Sequence, residues 1–288
     1  MLFKENNNQV GLKIRPPEQI VNTYAKTMRF YGALGINHGC KPNEDFVFSN
    51  SQKYLPILEL DLKEMKTKAL HLNEEVDKLS IKLAKILSNG DLTLRKYLGY
   101  CLNELIRNVL QHSGITKIWC AAQVWPTEKG GKCIEVALMD CGKGIEASLN
   151  ENYKNMFTKP LRYAIIPGCS SKVTTFSYEG AENSGFGLFM TSEITRESGE
   201  FYIFSNKSSI NLSGSSITEG KCNLQGTLIG MRLDIDTLSD YTIKISELID
   251  KGNALQSKFE KYVERSRFAP GLEQKEFYEM IESYNNIQ

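Results

Sequence analysis

Glu104, Asn108 and His112 stand four residues apart in the run Asn103-Glu-Leu-Ile-Arg-Asn-Val-Leu-Gln-His112, so on a helix they share one face. A carboxylate and an amide carbonyl one turn apart can together serve a nucleophile and a hard cation. Magnesium keeps several of its waters, and one protein oxygen added to phosphate oxygens is enough to hold it. A polar stripe at this spacing also describes an ordinary solvated helix face, so the stripe alone decides nothing.

A second group is Asp140-Cys141-Gly142-Lys143-Gly144-Ile145, directly after an apolar strand pattern. A carboxylate at a strand end can accept a hydrogen bond from an exocyclic amine such as that of adenine. The glycines let backbone come close to a flat ligand. Gly142, Gly144 and Ala147 also satisfy the G-x-G-x-x-A dinucleotide pattern. Two features oppose that reading: Asp140 would repel a pyrophosphate, and such a turn should open a helix directly. A plain tight turn is the remaining alternative. The third group, Asn183-Ser-Gly185-Phe-Gly187-Leu-Phe-Met190, runs two glycines into a helix, whose unpaired N-terminal amides favour phosphate; a flexible hinge is compatible with the same residues. Gly226-Thr227 then opens an apolar strand.

Helix stripe, strand ending in D-x-G-x-G, long connection, glycine pair entering a helix, then G-T on a strand: in this order the motifs resemble the N, G1 and G2 boxes and final strand of the GHKL, or Bergerat-fold, ATPases. The resemblance covers about Leu94 to Leu233. Its E-L-I-R-N-V-L-Q-H form is more similar to anti-sigma-factor serine kinases, and to histidine kinases with Glu in the N box, than to relatives with two Asn residues there. The resemblance implies that Asn108 binds magnesium and Glu104 orients or deprotonates the attacking group. It implies that Asp140 recognises the adenine amine, supported by Thr227, with Gly142 and Gly144 shaping the pocket. Gly185 and Gly187 would serve the phosphates, and residues from about Ile145 to Ser184 would form an ATP lid. Lys143, Arg107, Lys172 and His112 would be secondary contacts. The G2 box lacks a third glycine, Phe189 following Gly187-Leu188.

The elements that must position these groups are legible in outline. Apolar residues from Lys63 to Leu87 and from Leu92 to His112 recur every three or four positions, which predicts two helices separated by Asn89-Gly90, with Asp91 able to cap the second. Strands are expected at Lys117–Trp125 and Cys133–Asp140 around a Gly130-Gly131 turn, and at Phe201–Ser205 and Thr227–Ile235. Gly187–Glu197 reads as a helix, and two more follow near Asp240–Ile249 and Gln274–Tyr284. Between Gly144 and the third group lie about forty weakly patterned residues, too many for an ordinary connection. The start of the chain mixes an amphipathic stretch, Glu18–Leu34, with short apolar runs at Phe46–Phe48 and Leu55–Leu60.

Bulk properties remove other classes. Lys and Arg number 35 against 34 acidic residues, giving a formal charge of +1, so no polyanionic partner such as nucleic acid is expected. The 7 cysteines form no CxxC pair, and His38 with Cys40 has no second pair of zinc ligands. Reduced thiols, the absence of a signal-like apolar start and of a membrane-length apolar run point to a cytoplasmic chain without membrane partners. Gly214 to Cys222 imitates a P-loop, but with five intervening residues and Cys in place of Ser or Thr.

The expected fold is α+β, a two-layer sandwich of the Bergerat type. Residues 1–62 are read as a small N-terminal flank, 63–238 as the ATP-binding domain and 239–288 as a helical extension. The expected function is Mg-ATP binding with phosphoryl transfer to a partner protein, in the manner of a serine-kinase regulator. The alternatives are an ATP-gated interaction module and a slow ATPase that drives homodimerisation. A sensor histidine kinase is disfavoured, because His71 lacks the acidic residue directly after it that the family usually has.

Overall fold

The computed structural model of the chain describes residues 22–36, 39–47, 53–63, 72–153, 157–170 and 185–266. His38, His71, Lys172, Asn183, Ser184 and the tail helix expected near Gln274–Tyr284 lie outside them. Along the chain run α1 (Asn22–Thr27), α2 (Phe30–Ala33), β1 (Tyr54–Asp61), α3 (Leu72–Ser88), α4 (Leu92–Asn108), β2 (Lys117–Pro126), β3 (Lys132–Asp140), α5 (Gly144–Tyr153), α6 (Pro160–Ala164), α7 (Gly187–Glu197), β4 (Gly199–Ser213), β5 (Ser216–Asp234) and α8 (Tyr241–Ser266).

The fold is α+β. Its five strands lie in the order β1-β2-β3-β5-β4, and every described pairing is antiparallel. β1, from the stretch read as a flank, forms one edge. Ile134, Val136 and Leu138 alternate inward along β3, as do Ile229, Met231 and Leu233 along β5, and α3, α4, α7 and part of α8 share the resulting core. Burying such side chains stabilises by roughly 1.5–3 kcal/mol each. No helix among the described residues is long and apolar enough to cross a membrane.

The expected face of α4 is the buried one: Leu94, Leu98, Cys101, Leu105 and Val109 are all in the core. Asp91 caps the helix, accepting from the Leu94 amide at 2.8 Å. The α-helix does not run on to His112 as its period suggested. It ends at Asn108 and widens into a π-helical turn over Val109–Ser113, closed by Gly114 at φ 82°. The Ser113 hydroxyl holds this turn by donating to the Val109 carbonyl at 2.6 Å.

Three further expectations change. The stretch after Gly144 contains α5 and α6, whose apolar residues are too few to show a period. β4 and β5 extend well past the expected strands into a long polar hairpin. α8 continues to Ser266 through Gly252, where a Cβ would stand 2.4 Å from Phe186 Cε1; the glycine serves close packing and does not end the helix.

Candidate functional site

Asp140 continues the inward alternation of β3, two residues beyond Leu138, so strand register carries an acid into the helix-facing side of the sheet. Its register partner on β5 is Thr227, in line with inward-facing Ile229. Asp140 is 5% exposed. Burial pushes its carboxyl up to about 6, partly offset by the backbone N–H groups of Gly142 and Thr227; the Gly142 amide donates to Oδ1 at 2.8 Å. A desolvated acid held by fixed donors is a feature of functional sites.

The D-x-G-x-G turn is fastened at both ends by residues that sequence reasoning missed. The Lys143 amide donates to the Ser113 carbonyl at 3.0 Å, which ties the turn to the π-helical end of α4. On the other side β4 breaks register around Asn206, which has φ 53°. This bulge lets the Asn206 amide donate to the Lys143 carbonyl at 2.9 Å and its Oδ1 accept from the Gly226 amide at 3.3 Å. Ser205 accepts from the Ile145 amide at 2.9 Å, donates to the Gly226 carbonyl at 3.0 Å and lies 3.3 Å from the Thr227 hydroxyl.

The glycines are required by contact. A Cβ on Gly142 would fall 2.3 Å from the Ser113 carbonyl oxygen, and one on Gly144 (φ +81°) 2.4 Å from Asn206 Nδ2. Gly226 has φ +94°, and a Cβ there would stand 2.1 Å from the Asp140 carbonyl oxygen. Gly226→Ala is therefore expected to cost at least about 2 kcal/mol, from left-handed strain and backbone overlap together, measurable as a lowered urea midpoint.

These pieces surround an open cavity of about 810 Å³ including its mouth, lined by Asn108, Asp140, Gly144, Gly185, Gly187 and Thr227, together with His112 and apolar residues such as Leu138 and Ile145. Six of the eight residues picked from sequence thus meet at one concavity. The other two, Glu104 and Gly142, adjoin the lining residues Gly187 and Ser113 respectively. Glu104 abuts the first turn of α7: a Cβ on Gly187 would be 2.0 Å from its Oε2. Burial raises its carboxyl above the ordinary carboxylate range, with Arg107 opposing and Asp77 adding to the shift.

Of the secondary contacts, His112 lines the cavity, whereas Arg107 pairs with Asp77 at 3.4 Å and Lys143 with Glu151, and neither reaches the lining. α5 does open directly at Gly144, so the helix-based objection to a dinucleotide fingerprint falls. The fingerprint still fails, because its glycines belong between parallel strands, and β3 pairs antiparallel with both its neighbours.

Among the described residues no group of three or more His, Cys, Asp and Glu side chains could hold a metal by itself. A magnesium ion arriving with phosphates needs no such cage, and the Asn108 amide at the cavity wall is a suitable single oxygen ligand. All seven cysteines are free thiols. Compared with protein-family models, curated proteins and solved structures, the chain matches none of them.

Proposed function

We propose that this chain is a Mg-ATP-binding protein of the GHKL, Bergerat-fold type, transferring the terminal phosphoryl group to a partner protein. The observation that supports this reading is the shared cavity: Asn108 on α4, Asp140 on β3, Gly185 and Gly187 leading α7, and Thr227 on β5 line it together. In this reading Asp140 accepts from the adenine amine, and the apolar wall covers the base. The first turn of α7 receives phosphate through its unpaired amides. Asn108 would hold magnesium, which when bound would offset phosphate charge. Glu104, half-buried against α7, holds a raised carboxyl beside the phosphate end and takes the proton of the attacking hydroxyl.

The test is nucleotide-dependent stabilisation followed by transfer. Mg-ATP at about 100 times its dissociation constant stabilises the folded state by roughly 2.7 kcal/mol, expected as a melting shift of about 5–10 °C. Label from γ-labelled ATP should then reach a serine of a partner protein. Stabilisation without label on protein, but with released phosphate, would replace transfer by a slow ATPase, and absence of any melting shift would remove the nucleotide reading altogether.

A further inference from the structure

We propose that α8 is a latch on the cavity: docking of its second half holds the outer wall in place, so that latch docking and ligand occupancy favour each other. This rests on the nucleotide reading only for the identity of the ligand.

Three residues on one face of α8 make the contacts. Phe259, 2% exposed, completes a small apolar cluster with Leu149, Phe157, Tyr163, Ala164, Ile166 and Cys169. Among the described residues it is the one buried member of that cluster from outside the segment 144–170, and Leu149, Ala164 and Cys169 are themselves cavity lining. Three residues earlier, Gln256 lies against Gly168, where a Cβ would be 2.8 Å from its Cγ. The Gly168 amide in turn donates to the carbonyl of Gly185, a lining residue, at 3.2 Å. One turn earlier again, Gly252 admits the rings of Phe186 and Phe189 on either side of Gly187.

The helix is anchored independently of these contacts. Leu248 and Leu255 belong to the main core, and Lys251 pairs with buried Glu193 of α7 at 2.6 Å. The wall has a tether of its own, Arg162 and Lys159 both pairing with Glu219 of β5. Loss of the Phe259 contact should therefore loosen the wall without unfolding the sheet. A ligand that touches Leu149, Ala164 and Cys169 orders the surface on which Phe259 packs, and linkage makes that effect mutual.

The experiment uses the full chain, with Mg-ATP binding followed by calorimetry and amide exchange followed by mass spectrometry. In the wild type, Mg-ATP should slow exchange over 252–261 as well as over 157–170. In Phe259→Ala, exchange over 157–170 should rise while 117–140 stays protected, and Mg-ATP affinity should fall about tenfold or more. Phe259→Leu, which keeps apolar bulk, takes its place under the same criteria if the alanine variant does not melt cooperatively. Affinity within twofold of wild type, or exchange over 252–261 indifferent to nucleotide, would overturn the latch. If wild type binds no ATP, the nucleotide reading fails by itself, and the latch stands or falls on whether the variant loosens 157–170 selectively.

Discussion

Asp140→Asn is expected to make the unliganded protein more resistant to heat at pH 8 while lowering Mg-ATP affinity by about 30- to 100-fold. Both effects come from one buried charge. Burial holds the Asp140 carboxyl up to about 6, from an ordinary 3.8. The unfolded chain sheds this proton near pH 3.8, whereas the folded chain keeps it until about pH 6. The favourable contribution of the protonated acid is therefore fully present below pH 3.8 and is lost as pH rises through 6. At pH 8 the folded state carries an ionised, nearly buried carboxylate, a burden on the order of 1–3 kcal/mol. Asparagine keeps an oxygen for the Gly142 amide and has no charge to bury. Its melting advantage should be a few degrees at pH 8 and should shrink towards zero near pH 4.

Ligand affinity moves the other way, because a charged acceptor for the adenine amine contributes about 1.5–3 kcal/mol, and two decades of affinity correspond to about 2.8 kcal/mol. Wild-type affinity should accordingly fall as pH drops through 6, and the variant's should not. Calorimetric titration at pH 5, 6, 7 and 8 separates the cases; parallel curves for the two proteins would show that Asp140 does not read the ligand.

The same carboxylate explains why the centre of the site was legible in the sequence. An inward alternation, Ile134, Val136, Leu138, that ends in Asp140 is an unusual place for an acid, and strand period alone carries it to the helix side of the sheet. α4 was legible for a similar reason, its apolar positions repeating over four turns behind a capping Asp91. What escaped depends on contacts rather than periods. Ser113, Ser205 and Asn206 are of residue types found in any loop, and their roles arise from a π-helical turn and a bulge that no local pattern announces. The distal hairpin is built from Lys207-Ser-Ser-Ile-Asn-Leu-Ser213, in which only Ile210 and Leu212 reach the core, too little alternation to extend a strand. α5 offers only Ile145, Leu149 and Tyr153 to the apolar clusters. Gly252 lies just past the expected helix end near Ile249, and its place inside α8 depends on the two phenylalanine rings it admits.

Gly187→Ala is the substitution expected to cost most at the reacting end. The new methyl would lie 2.0 Å from Glu104 Oε2, 2.9 Å from its Cδ and 3.2 Å from its Cβ. The carboxylate can swing away, but the Glu104 Cβ sits on the α4 backbone and cannot, so the first turn of α7 must also shift. Displacement of a catalytic group by about 1 Å lowers rate on the order of 100-fold, and removal of a general base lowers it about 10²–10⁴-fold. Phosphoryl transfer in Gly187→Ala should therefore fall by at least about 100-fold. Affinity for Mg-ATP, which in the proposed reading is anchored chiefly at Asp140, should change less than about tenfold, or 1.4 kcal/mol. Glu104→Gln should lose a comparable factor in rate with intact affinity. Because both changes disable one group, the double variant should be scarcely slower than either single one. Multiplicative losses would assign the two residues separate tasks, and a Gly187→Ala protein that transfers at the wild-type rate would show that the contact between Glu104 and α7 has no part in the reaction.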